Sequence, residues 1–308
     1  MYLLLFMLAG VVSWFVIPGT WMLILSWMAR RICGFRPRKR TVQGVHWQYI
    51  RGGRGPTLVM LHGLAAEADH WLGVVRLLRR DFHVLAPDLP GFGRSEPPQH
   101  LDFHIDRQAA RLADWLDELE VGECLLAGNS MGAWIAAQFA ATHPGRVRGL
   151  WLQDPFGVLS APPSELLSAL ARDGSNPFKV ETMADFERLI SVMFQRPPHL
   201  PFPIAHAGFL NARRLQAHLP RLQREVLAQS EALESLAPRL AMPVLVEWGR
   251  ADRAVNVAGA GILAGLLAQS EIVLHDNIGH LPMLECPVQS ANSFRSFARR
   301  HGLLPPVA

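Results

Sequence analysis

The sequence predicts an α/β fold, a mostly parallel sheet flanked by helices, with a helical cap insertion and an amino-terminal transmembrane helix ahead of it. Three observations carry this prediction. From residue 45 to 300, short apolar runs alternate with stretches of helical period, the pattern of βαβ units. A proline-punctuated region from Pro155 to about Ala237 contains no convincing strand and interrupts that rhythm. Residues 1–29 contain no charged side chain.

The amino-terminal run, Met1 to Ala29, is dominated by Leu, Met, Val, Ile, Phe and Trp. Roughly 20 apolar residues suffice to cross a bilayer as a helix, and Trp14, Trp21 and Trp27 suit its interfacial levels. A cleaved signal peptide would carry its positive charge before the apolar core, whereas here the charge follows. Pro18-Gly19 leaves two readings open: one kinked span, which is favoured, or two half-length helices dipping into one leaflet. Arg30, Arg31, Arg36, Arg38, Lys39 and Arg40 then form a basic juxtamembrane collar over residues 30–40. Basic residues beside a span are retained on the cytoplasmic side. The expectation is therefore a single-pass protein of a bacterial inner membrane, with its catalytic domain facing the cytoplasm. The Trp- and Gly-bearing segment also allows pairing with a second copy, a homodimer through the membrane.

In the body, strands are predicted at Val45–Ile50, Leu58–Leu61, His83–Ala86, Cys124–Ala127, Val147–Leu152, Val244–Trp248 and Glu271–His275. Helices are predicted at about 71–80, 105–119, 131–142, 257–268 and 287–300. Domain organisation follows: an anchor at 1–29, the collar at 30–40, an α/β core from 41–154 and 238–308, and a cap or lid at 155–237. Ligands of open α/β sheets bind at the carboxyl ends of the strands, and the cap lies over that edge.

Gly128-Asn129-Ser130-Met131-Gly132 follows the apolar run Cys124–Ala127 and precedes a helical stretch. A serine between glycines at a strand-to-helix turn is held in a strained conformation that presents its hydroxyl above the sheet. Acyl transfer by serine also needs a base, an acid to orient that base, and donors for the oxyanion. His280 lies just past the last strand and Asp252 just past the one before it. The order Ser130, Asp252, His280 is the order a hydrolase of this architecture requires. The Met131 N–H is the first candidate oxyanion donor, and Leu64, in the loop after Leu58–Leu61, supplies the second. Asp154, after Val147–Leu152, is the serious alternative to Asp252. Asp276 is too near His280 in sequence to reach its far ring nitrogen easily. His62 and Asp88 read as loop-supporting residues, and Asn129 as a neighbour that packs or hydrogen-bonds beside the nucleophile.

With these motifs in hand, the chain resembles the α/β-hydrolase superfamily, in its serine-hydrolase form with a helical cap. The matching residues are Leu61-His62-Gly63, Asp88 to Ser95, Gly128 to Gly132, Gly249 to Asp252, and Gly279-His280-Leu281-Pro282, in family order. His62 to Ala66, His70-Trp71-Leu72 and the membrane segment are most similar to the membrane-anchored monoacylglycerol lipases and related bacterial lipases. The resemblance implies the α/β-hydrolase fold and a serine esterase. A serine nucleophile excludes the epoxide hydrolases and haloalkane dehalogenases of this architecture, which need a carboxylate there.

Other function classes recede on composition. The chain has 30 Lys and Arg against 26 Asp and Glu, but six of the basic residues lie in residues 1–40 with no acidic one. The remainder is slightly acidic, which leaves nucleic-acid binding without support. Gly91-Phe92-Gly93 lacks dinucleotide-binding spacing, so no cofactor is expected. His104, His143, His199, His206 and His218 show no paired ligand spacing, so no metal is expected either. Cys33, Cys124 and Cys286 have neither redox nor metal spacing. The favoured substrates are acyl esters of membrane-derived lipids: monoacylglycerol, lysophospholipid or phospholipid. Phe178, Phe186, Met193, Phe194, Phe202, Phe209 and Leu210 of the cap are candidates to line the acyl chain. The alternatives are a tethered thioesterase or carbon–carbon hydrolase acting on a soluble substrate, and a non-enzymatic binding protein of the same fold.

Overall fold

In the computed structural model, residues 12–95, 102–228 and 230–305 are described. Eight strands form one sheet in the order β1-β2-β4-β3-β5-β6-β7-β8. They are β1 (Phe35–Val42), β2 (Val45–Gly53), β3 (Thr57–Leu61), β4 (His83–Asp88), β5 (Cys124–Asn129), β6 (Val147–Gln153), β7 (Val244–Gly249) and β8 (Ser270–His275). The first three in spatial order pair antiparallel and the remaining pairings are parallel. Parallel strands joined by crossover helices are covered on both faces. Accordingly β5 and β7 are buried at every position, which is why they read as continuous apolar runs.

All seven strands expected from the sequence are present, and β1 is an addition. Its sequence, Phe35-Arg36-Pro37-Arg38-Lys39-Arg40-Thr41-Val42, buries only its two ends. The basic collar thus lies largely on an edge strand. Charge and proline there are the ordinary means of keeping a sheet edge from pairing with other chains.

The helices that sandwich the sheet are α2 (Leu72–Leu78), α3 (Ile105–Glu118), α4 (Met131–Thr142), α10 (Ala258–Leu266) and α12 (Pro287–Arg300). Each buries one apolar side, as α12 does with Ala291, Phe294, Phe297 and Ala298. In α12, Phe294 stacks on Trp151 of β6 with ring centroids 4.4 Å apart. α4 is apolar on nearly every face and is buried from Met131 to Ala140, as the helix behind the central strands must be. Between β6 and β7 the cap is built from α5 (Glu165–Asp173), α6 (Met183–Met193), α7 (Phe202–Leu215) and α8 (Leu219–Leu227), with the short α9 (Leu233–Leu236) leading back to the sheet. α6 begins with a capping box, in which the Thr182 and Asp185 side chains satisfy each other's backbone N–H groups.

The amino-terminal segment is part of this assembly. Residues 12–16 are helical, and a break at Ile17 precedes α1 (Pro18–Cys33). No helix among the described residues is long and apolar enough to cross a membrane. Residues 1–11 of the expected span lie outside the described residues. α1 ends at Gly34, whose left-handed φ of 81° turns the chain directly into the buried Phe35 of β1. There is no linker between the two.

Along α1 the side toward the cap is packed, while Leu23, Trp27 and Ile32 are exposed. Arg30 is only 13% exposed and donates from Nε to both Asp69 oxygens, at 2.8 and 3.1 Å. Hydrogen bonds to a charged group in so shielded a place contribute more than an exposed ion pair. Arg30→Ala is expected to cost about 2 kcal/mol of stability, measured by the urea midpoint. An unchanged midpoint would show that the contact holds nothing.

Candidate active site

The site is built where β3, β5, β6, β7 and β8 end. β5 delivers Asn129, and the chain turns at Ser130 with φ 55° and ψ −120° before entering α4. A positive φ at a residue with a Cβ is strained and persists only where the surroundings enforce it. Here the Ser130 N–H donates to the Gln153 carbonyl at 3.0 Å, and the Ser130 carbonyl accepts from Ala133 at 3.0 Å and from Phe156 at 3.2 Å. The flanking glycines are steric necessities. A Cβ on Gly128 would lie 2.3 Å from the Gly132 carbonyl oxygen, and one on Gly132 would lie 2.4 Å from the Leu61 oxygen. The Met131 N–H is the first of α4 and has no acceptor within the helix.

His280 sits in the loop after β8, buried, with Nδ1 2.8 Å from Oδ2 of Asp252. Asp252 is well held. Its Oδ1 accepts from the Ala254 and Val255 N–H groups at 2.8 and 3.0 Å, and its Oδ2 also accepts from Trp248 Nε1 at 3.2 Å. A carboxylate on Nδ1 places the ring proton there and leaves Nε2 as the basic nitrogen. Ser130 and His280 line the same cavity. The backbone of the His280 loop is fixed from two sides. Its N–H donates to the Met193 carbonyl of α6 at 2.9 Å, and its carbonyl accepts from Asn129 Nδ2 at 3.2 Å. Asn129 is therefore the hydrogen-bonding neighbour its position suggested. Asp276, by contrast, is exposed and pairs with Arg250 at 2.8 Å, away from the His280 ring.

The loop after β3 closes over Ser130, since a Cβ on Gly63 would stand 3.1 Å from the Ser130 Cβ. Leu64 lines the cavity at that point. His62 supports the loop from within. Its Nε2 accepts from the Leu89 N–H at 2.9 Å, its Nδ1 is 2.8 Å from the Gly63 carbonyl, and burial pushes its pKa down. Asp88 braces the same turn, accepting from Ala68 N–H at 2.7 Å and from Arg94 Nε at 2.9 Å. Burial works against its charge, yet the Arg94 guanidinium holds its carboxyl below the usual value.

Beside this loop, Glu67 and His70 also line the cavity. Burial, reinforced by the Asp88 and Asp69 carboxylates, raises Glu67 to about 7. Burial lowers His70 to about 4.

The cavity has a volume of about 940 Å³. Of the cap candidates, Phe178, Phe186, Met193, Phe194 and Leu210 line it, beside Leu189 and Ile204. Phe202 and Phe209 do not. Phe202 packs at a tilt against Phe15, with centroids 5.2 Å apart, and Phe209 lies under the Arg213 guanidinium at 5.9 Å. Helical period alone does not tell which side of α7 faces inward. One wall was not anticipated, because Met22, Leu23, Ser26 and Arg30 of α1 complete the cavity.

A second cluster was also missed. Glu247, within β7, is fully buried and bonded by Trp151 Nε1, Gln153 Nε2 and Ser290 Oγ at 2.8, 2.6 and 3.0 Å, with His275 Nε2 at 2.5 Å. A lone glutamate in the apolar run Val244-Leu245-Val246-Glu247-Trp248 was its signal. Elsewhere Asp102, His104 and Glu225 converge, but Arg221 already engages Glu225 at 2.6 Å and the His104 ring contacts Asp102.

Comparison with known proteins agrees with the fold. The family described as alpha/beta hydrolase fold matches residues 56–287. Lipase 1 of Psychrobacter immobilis is 28% identical over 246 residues, covering 79% of this chain and 77% of that protein. Human monoacylglycerol lipase ABHD6 is 27% identical over 303 residues, covering 94% and 90%. Among solved structures, a membrane phospholipase A described as a bacterial virulence factor superposes with a TM-score of 0.90. It is 33% identical, with 97% of each chain covered. A putative lipase of Acinetobacter baumannii AYE superposes with a TM-score of 0.84 at 26% identity, covering 91% of this chain and 96% of that one.

Proposed function

The chain belongs to the alpha/beta hydrolase family as a serine ester hydrolase of the lipase and esterase type, and on that premise we propose that it cleaves acyl esters of membrane-derived lipids through Ser130, His280 and Asp252. Monoacylglycerols, lysophospholipids and phospholipids are the substrate class. The observation that carries this reading is the cavity of about 940 Å³ at Ser130, with apolar walls from the cap and from α1. A lipid acyl chain needs a space of that size and character.

In the proposed mechanism His280 Nε2 takes the Ser130 proton as Oγ attacks the ester carbonyl. The Met131 and Leu64 N–H groups receive the oxyanion. The imidazolium, stabilised by Asp252, then protonates the leaving alcohol. Water activated by the same ring releases the acid from the acyl-enzyme and regenerates Ser130.

Attachment to a membrane is part of the proposal. Its support is the uncharged run Met1–Ala29 together with exposed Phe15, Val16, Leu23, Trp27 and Ile32. An apolar exposed face of this kind is unusual on a monomeric soluble protein. A cytoplasmic catalytic domain rests on the basic residues that follow this run. In this reading residues 155–237 are the lid.

The test is a substrate panel with the full chain in detergent: p-nitrophenyl esters of graded length, monoacylglycerols, lysophospholipids, and soluble acyl thioesters. Lipid esters presented in micelles are expected to be turned over faster than short soluble esters. Preference for the thioesters, or for short soluble esters at every concentration, would overturn the lipid assignment.

A further inference from the structure

The acid end of the site holds two carboxyl groups. Asp154 follows β6 and Asp252 follows β7, and one oxygen of each lies with a His280 ring nitrogen inside a group whose atoms are all within 4.8 Å. Asp154 is fully buried, and its backbone is forced to φ 43°. Its N–H donates to the Glu247 carbonyl at 2.9 Å, and its Oδ1 accepts from the Gly249 N–H at 2.9 Å. Its Oδ2 is sealed from solvent and receives no donor among the described residues. Asp252 is the opposite case, with two backbone N–H groups, an indole N–H and the imidazole all directed at it.

Two carboxylates at this separation in a buried place cannot both stay ionised at low cost. Donors select Asp252 as the charged one. Resting on the proposed triad, we propose that Asp154 is a positioning residue whose carboxyl donates a hydrogen bond to the Asp252 carboxylate and so holds the acid that orients His280.

The surroundings of Asp154 agree with this assignment. The groups that face it are the Asp252 and Glu247 carboxylates, His280 and the Cys286 thiol. Burial first, and the Asp252 charge second, push the Asp154 pKa well above the usual carboxylate range. The Gly249 N–H opposes this only in part. The linkage has a definite sign. The folded protein keeps a proton that the unfolded chain loses above about pH 4. Wild-type stability therefore contains a contribution that is full below about pH 4 and declines as pH rises toward the folded pKa.

Asp154→Asn keeps a donor for Asp252 and an acceptor for Gly249 N–H, and asparagine tolerates a positive φ. Asp154→Ala removes the donor. Asp154→Ala is expected to lower kcat about tenfold at little change in KM. It should also move the acid limb of the kcat/KM profile to higher pH, because an unshared Asp252 charge favours the imidazolium more strongly. Asp154→Asn is expected to restore both. The Asn variant should also gain in Tm over wild type at pH 8, with the gain shrinking as pH falls toward 4.

If both variants instead move the acid limb to lower pH, Asp154 is ionised and the proposal fails. A carbon-13 NMR titration of aspartate-labelled wild type, which needs no variant to fold, is expected to show one aspartate carboxyl that keeps its proton well above the usual carboxylate range, and its absence overturns the assignment. Asp252→Asn tests the triad separately. That reading requires a loss of about 10⁴-fold in kcat, whatever Asp154 does.

Discussion

Ser130→Ala is expected to lower kcat by about 10⁶-fold while leaving substrate binding nearly intact. Ser130 is the non-glycine residue that the β5–α4 turn holds at φ 55°, beside the cavity and below the Gly63 loop. Alanine preserves that backbone and removes only the hydroxyl oxygen proposed to attack. What remains is the rate enhancement that positioning and oxyanion donors supply without a nucleophile, which is far smaller. Turnover of a medium-chain p-nitrophenyl ester measures the loss. Labelling by a fluorophosphonate shows whether the same oxygen is the reactive one. Substantial turnover in the alanine variant would remove Ser130 from the mechanism.

Gly132→Val carries the second large effect, on folding itself. β3 and α4 approach so closely that a Cβ at residue 132 would stand 2.4 and 2.5 Å from the Leu61 and His62 carbonyl oxygens. Neither oxygen is at the end of a flexible side chain, so the two elements would have to separate. The strand involved is central, and the helix is buried from Met131 to Ala140. A loss of more than about 4 kcal/mol is expected, with the soluble yield and the urea midpoint falling together. A valine variant with a wild-type midpoint would contradict this packing.

The sheet was legible because its inner strands are covered on both faces and so read as unbroken apolar runs. β1 was hidden for the converse reason, since Arg36, Arg38, Lys39 and Arg40 on an exposed edge strand look like a charged linker. The residues proposed for the triad could be named because each follows a strand in a fixed order, and the turn chemistry around Ser130 is local. The opposition of Asp154 and Asp252 was not legible. It depends on β6 and β7 pairing parallel with Gln153 opposite Glu247, a register that no local pattern encodes. The cap was the least readable part. Phe202 and Phe209 have the composition of cavity residues, yet α7 turns them toward Phe15 and Arg213.

The direct junction of α1 with β1 makes the amino-terminal segment a mechanical member of the catalytic domain. Arg30 grips Asp69 in the segment after β3 that also carries Leu64, and Met22 and Leu23 line the cavity beside the cap helix α7 on which α1 packs. The chain ahead of Pro18 is therefore joined to the loop after β3 through sixteen helical residues and the Arg30–Asp69 contact. A chain shortened to begin at Phe35 would lose both that connection and a wall. Its chain-length preference would report on a different vessel.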